Sequence, residues 1–106
     1  MNKPLFYPYY RVLERKPEFE LGMLLLTAGV WDLIEQDCVF ITEIDKCFNK
    51  FIRKDFGFLS EDDEGNQYEV IDGAEIMGGY VTTKGNIYIV TSPDRVGTII
   101  MLPQER

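Results

Sequence analysis

The last third of the chain, Gly78 to Pro103, constrains the fold most tightly. It reads Gly-Gly-Tyr-Val-Thr-Thr, a Lys-Gly-Asn turn, Ile-Tyr-Ile-Val-Thr, a Ser-Pro-Asp-Arg-Val-Gly turn and Thr-Ile-Ile-Met-Leu-Pro. Short β-branched and aromatic runs separated by turn residues are the pattern of successive hairpins. Three strands and two tight turns are therefore predicted. Ile87 and Ile89 alternate with Tyr88 and Val90, and both sets are apolar, as a central strand covered on both faces requires. Pro93 suits the second position of a turn, because its ring presets φ. Gly97 is expected to supply the positive φ that ends that loop. Pro103 stops the last strand, because it has no N–H to give to a ladder.

The upstream chain supplies what packs on this sheet. From Glu18 to Leu26, Phe19, Leu21, Met23 and Leu25 alternate with Glu20 and Gly22 before the run becomes wholly apolar, which predicts another strand. Thr27 is placed to cap a helix from Ala28 to Gln36, with Val30, Leu33 and Ile34 inward and Trp31 beside them. A longer helix is predicted from Thr42 to Lys54. Thr42 is its expected cap, and Asp45 three residues on makes a weak capping box. Ile44, Cys47, Phe48, Phe51 and Ile52 form its core stripe. Lys46, Lys50, Arg53 and Lys54 read as a solvated face or as dipole partners in the last turn. Asp55 to Gly65 reads as a loop, and Ser60 is a candidate cap for a helix beginning near Glu61.

The segment Met1 to Pro17 reads as an aromatic arm punctuated by Pro4, Pro8 and Pro17. Phe6, Tyr7, Tyr9 and Tyr10 are too aromatic for a disordered linker. Two readings stand open. One is an extended arm packed on the domain, with Tyr10 to Leu13 as an edge strand. The other is an exposed arm that docks on a partner or a second copy, which is compatible with a homodimer.

The 106 residues make one domain by length, here 18–106, and are too few for a doubly wound nucleotide-binding fold. A net charge of -7 disfavours a nucleic-acid or anionic-membrane binder and permits a protein partner with a basic surface. Cys38 and Cys47 lack zinc-pair spacing and read as free buried thiols of a reducing compartment. Neither a signal peptide nor an apolar run of membrane-spanning length is visible, so a cytoplasmic protein is expected.

Candidate chemistry is sparse. The chain has no histidine, so the commonest general base and the usual triads are missing. Gly78-Gly79 lacks the rest of a phosphate loop. The acidic run Glu61, Asp62, Asp63, Glu64 fails as an EF-hand, because placing Gly65 at the sixth position puts Ile71 where a bidentate Glu belongs. It reads instead as a solvated, helix-capping turn or a contact for a basic partner. Asp94-Arg95 reads either as turn chemistry, with Arg95 folded onto a carboxylate such as Asp55, or as an Arg held for an anionic ligand or partner. No metal or cofactor is expected.

With those residues in view, the chain resembles a small, largely uncharacterised bacterial family found on chromosomes, plasmids and prophages. The matching stretches are Leu21 to Thr27, Asp55-Phe56-Gly57-Phe58-Leu59-Ser60-Glu61-Asp62-Asp63, Asn66, and Ile87 to Pro103 with Thr91, Asp94-Arg95, Thr98 and Pro103 in register. The resemblance covers about Leu21 to Glu105. Some members carry a type I restriction–modification subunit label, which the length of this chain argues against. Members often have a His where this chain has Phe51, a Trp at Phe56 and a Gly at Lys54. Loss of that His favours binding over acid–base work.

The fold class expected is α+β: a small antiparallel sheet of three to four strands with two or three helices on one face. The function expected is that of a small acidic phage or mobile-element accessory protein acting by protein–protein binding, with an anti-defence or anti-restriction inhibitor as its most concrete form. Its contacts would include Glu61, Asp62, Asp63, Glu64, Asp94, Arg95 and the arm. The alternative is a ligand-binding protein or enzyme with a site between the Asp55 loop and the Asp94-Arg95 hairpin.

Overall fold

The computed structural model describes residues 4–10, 16–59 and 73–106. In chain order these form β1 (Phe6–Pro8), β2 (Met23–Thr27), α1 (Ala28–Gln36), α2 (Phe40–Phe51), β3 (Ile76–Thr82), β4 (Gly85–Thr91), β5 (Gly97–Met101) and a 3-10 turn, Pro103–Glu105. The class is α+β, as the hairpin pattern predicts. The predicted edge strand at Tyr10 to Leu13 and the Ser60 helix run into residues outside those described. Among the described residues, the arm contributes its strand earlier, at β1.

The sheet has five strands in the order β1-β2-β5-β4-β3. It is mixed, not purely antiparallel as expected. β2 runs parallel to β5, with Leu24 opposite Thr98 and Leu26 opposite Ile100. The reason is the connection: both helices and the β3–β4 hairpin intervene between β2 and β5. A chain that long can return to either direction, whereas a two-residue turn can only reverse it. The Thr83-Lys84 turn does reverse it, with Thr82 opposite Gly85.

The strand period sorts the side chains into two faces. Leu26, Ile76, Tyr80, Ile87, Ile89 and Ile100 point inward and are almost fully buried. Against them pack Val30 of α1 and Ile44, Cys47, Phe48 and Phe51 of α2. The α2 stripe predicted from spacing is thus the stripe that is buried, Ile52 included. Each of its fully buried Phe side chains stabilises by roughly 1.5–3 kcal/mol over its exposed state. Trp31 is half-buried and stacks on Tyr7 of β1 at 4.9 Å.

The two helix caps divide. The Oγ1 of Thr27 accepts from the Val30 amide at 3.4 Å, as predicted. Thr42 caps nothing, because α2 starts at Phe40 behind Val39. Its hydroxyl instead donates to the Val39 carbonyl at 2.7 Å, one turn back inside the helix. Phe40 is buried, and that apolar anchor draws the helix start forward past the polar signal. At the other end α2 stops at Phe51, and Lys54 turns the chain with φ 65.

Candidate functional site

The opposite face of the sheet carries Phe6, Met23, Leu25, Tyr88, Ile99 and Val81, and neither helix covers it. Of the large apolar side chains exposed among the described residues, Phe6, Met23, Phe58, Val81 and Val96 gather here at 45–75% exposure. Met23 and Val96 line one hollow of this face, Phe6 borders a second that adjoins it, and Phe58 and Val81 border a third at the β3 edge.

Two structures cover part of this face. The segment after β5 folds back over it. There the Oε1 of Glu105 accepts from Thr27 Oγ1 at 2.6 Å, and Arg106 pairs with Glu75 at 2.7 Å. Beneath it Val90 and Met101 are almost buried. At the β3 edge, the loop after α2 lays the Phe58 ring over Gly79 and against Tyr88, centroids 6.2 Å apart. A Cβ on Gly79 would meet the Phe58 ring at 2.5 Å, so that close approach needs a glycine. The expectation that β4 is covered on both faces holds at Val90 by way of a tail, and at half-buried Tyr88 by way of a loop.

What remains open lies beside the β4–β5 turn. Met23, Leu25, Val96, Gly97 and Ile99 line a hollow of about 340 Å³, with Ser92 and Asp94 at its edge. A second hollow, about 470 Å³, runs under the folded-back segment and shares Ser92, Gly97 and Ile99 with the first.

The turn itself positions the Asp-Arg pair. Arg95, not Gly97, takes the positive φ, at 61. Gly97 instead leaves room for β2: a Cβ there would stand 3.3 Å from the Met23 carbonyl oxygen. Arg95 turns its Nη1 back to donate to the carbonyls of Ala74 at 2.6 Å and Ser92 at 3.0 Å. The expected contact from Arg95 to the Asp55 carboxylate is replaced by these carbonyls. Asp94 goes the other way. Its Oδ1 accepts from the Ser92 hydroxyl at 2.7 Å and the Val96 amide at 3.1 Å. Those two bonds, the hydroxyl first, hold its carboxyl below the usual carboxylate range.

Asp55 lies elsewhere. Its Oδ1 accepts from the Gly57 amide at 3.2 Å, and its carbonyl accepts from the Tyr80 hydroxyl at 2.7 Å. Burial and the nearby Asp55 charge push the Tyr80 phenol up, so it stays a neutral donor. Asp55 thus bonds Gly57 and Tyr80, and Arg95 bonds Ala74, Ser92 and Pro93. Glu61, Asp62, Asp63 and Glu64 lie outside the described residues.

Other chemistry among the described residues is muted. No group of three or more His, Cys, Asp or Glu stands together to hold a metal. Burial pushes the Cys47 thiol up to about 11, which keeps it from acting as a nucleophile at neutral pH. Cys38 is free as expected but exposed rather than buried, because it lies in the turn between α1 and α2. Among the described residues no helix is long and apolar enough to cross a membrane.

The open sheet face is the feature that the sequence left unassigned. Its signal was present: Met23, Leu25, Ile99 and Met101 are apolar on the face opposite the core set. Among the described residues both α-helices pack on one side. No family model, curated protein or solved structure matches the chain.

Proposed function

We propose that this protein is a small binding module that docks another protein on the outer face of its sheet. One observation carries the reading: the exposed Met23, Val96, Phe6, Phe58 and Val81 gather on the face that the helices leave open. Burying such a set against a partner removes apolar surface that a free monomer ordinarily keeps from water. The partner is a protein with an apolar patch bordered by Lys or Arg. The charge of -7 favours that complement and opposes a second equally acidic copy.

Binding fits better than catalysis because the polar groups near the face are engaged in structure. Arg95 ties carbonyls and Asp94 ties its own turn. The phage or mobile-element setting, and the anti-defence form of the role, are supported by small size, acidity, the lack of histidine and the sequence resemblance.

A photo-reactive amino acid at position 96, introduced in the native host, tests the reading. The expected result is one cross-linked protein that binds the purified chain stoichiometrically. Val96→Asp should weaken that complex about tenfold or more, as loss of a buried apolar anchor does. Binding unaffected by both Val96→Asp and Met23→Asp would overturn the assignment of this face.

A further inference from the structure

The chemistry of the partner can be narrowed from the hollow beside the β4–β5 turn, on the premise that the outer face is the docking face. We infer that this hollow seats an amphipathic basic segment, with an apolar side chain between Met23, Leu25, Val96 and Ile99 and a Lys or Arg against Asp94.

The geometry of the turn supplies the asymmetry. Asp94 and Arg95 are adjacent in sequence, yet only Asp94 lines the hollow. Arg95 has its positive φ and spends Nη1 on the carbonyls of Ala74, Ser92 and Pro93, so the carboxylate of Asp94 is the charged group that lines the hollow.

Asp94 is also held still. The Ser92 hydroxyl and the Val96 amide both bond its Oδ1, leaving Oδ2 for an incoming donor. A carboxylate fixed before binding loses little side-chain freedom when it meets a cation. The hollow next to it is almost wholly apolar, with Met23 at 66% and Val96 at 69% exposure. Met side chains adapt to varied apolar shapes, which suits a helical or extended segment presenting a Leu- or Phe-like anchor. The exposed Glu20, three residues before Met23, adds a second acid on the chain leading into β2.

The test uses the intact chain and two 18-residue helical peptides that share one Leu-rich face. One peptide carries Lys on its polar face and the other Glu. Binding is followed by two-dimensional NMR on labelled protein. The Lys peptide is expected to shift the signals of Met23, Leu25, Val96 and Ile99. Asp94→Asn should weaken it roughly two- to fivefold, the range of one exposed ion pair, and Asp32→Asn on α1 should not. The Glu peptide should bind far more weakly.

Equal binding of both peptides in the hollow would overturn the basic preference and leave the docking face standing. Shifts from neither peptide, or only outside this face, would overturn both. A concentration-dependent dimer that Val96→Asp abolishes would assign the hollow to a second copy and overturn the inference.

Discussion

Glu105 caps α1 from across the fold: its Oε2 accepts from the Gly29 amide at 3.0 Å, and its Oε1 from the Thr27 hydroxyl at 2.6 Å. The first turn of α1 has no acid of its own, so a residue 76 positions away supplies the charge that the helix N-terminus favours. Glu105→Ala should cost about 1–2 kcal/mol in urea unfolding. Gly29→Ala should cost clearly less, because the carboxylate 2.7 Å from the added Cβ ends a flexible side chain that can move aside, and Ala favours the helix. The Glu105 contact pins the segment that shields Val90 and Met101, so Glu105→Ala should also raise binding of an apolar dye. Unchanged stability in Glu105→Ala would show that the clamp carries no weight.

Thr98 and Thr91 form a buried hydroxyl pair at 2.7 Å. Thr98 donates onward to the Leu21 carbonyl at 2.7 Å, so its single proton is used there and Thr91 is the donor within the pair. Thr98→Val strands two partners, and Thr91→Val leaves the Leu21 bond intact. Thr98→Val should therefore cost about 1–3 kcal/mol and Thr91→Val clearly less. Equal losses in denaturant titrations would contradict this order.

Gly57 carries φ 63 and bridges to Gly79 at the β3 edge. A Cβ at Gly57 would fall on the Gly79 carbonyl oxygen. Gly57→Ala should cost about 2 kcal/mol or more, combining left-handed strain with a backbone clash. It should also loosen Phe58 from Tyr88, measurable as altered ring signals by NMR. The Gly79 amide and carbonyl bond the Phe56 carbonyl and Phe58 amide, each at 3.0 Å, so this loop also blocks the middle of an edge strand.

The acid limb of stability should pass through Glu43. Its carboxylate accepts from the hydroxyl of Thr83 at 2.5 Å and from the amide at 3.0 Å, tying α2 to the β3–β4 turn. Those bonds hold its folded value below the ordinary glutamate value. The unfolded chain then binds more protons than the folded one across that window, so stability falls as the pH drops through it. Glu43→Gln should be less stable than the parent at neutral pH, and the gap should close under acid. A gap constant from pH 7 to pH 3 in urea midpoints would refute the linkage.

Elements held by local chemistry were legible in the chain. Thr27 caps α1 because capping needs only a hydroxyl and an amide three residues on. The α2 stripe from Ile44 to Ile52 is buried because its period alone forces one face. Thr42 misled, since its capping signal competes with Phe40, and only the packed core decides that contest. Arg95 misled in a similar way. A turn needing positive φ suggests the nearby Gly97, yet β2 presses on Gly97 and the turn bends at Arg95 instead.

Residue order by itself determined the class of the fold, the hairpins after Ile76, the two helices and the acidity that shapes the choice of partner. Those follow from period, turn residues and charge, which act over a few positions or over the whole chain. Tertiary structure alone decided that β2 lies parallel to β5 and that Arg95 reaches back to the Ala74 carbonyl. Both depend on contacts between residues tens of positions apart. A strand that is apolar on both sides can bury either one, and only the packing of the other elements selects which face is left open.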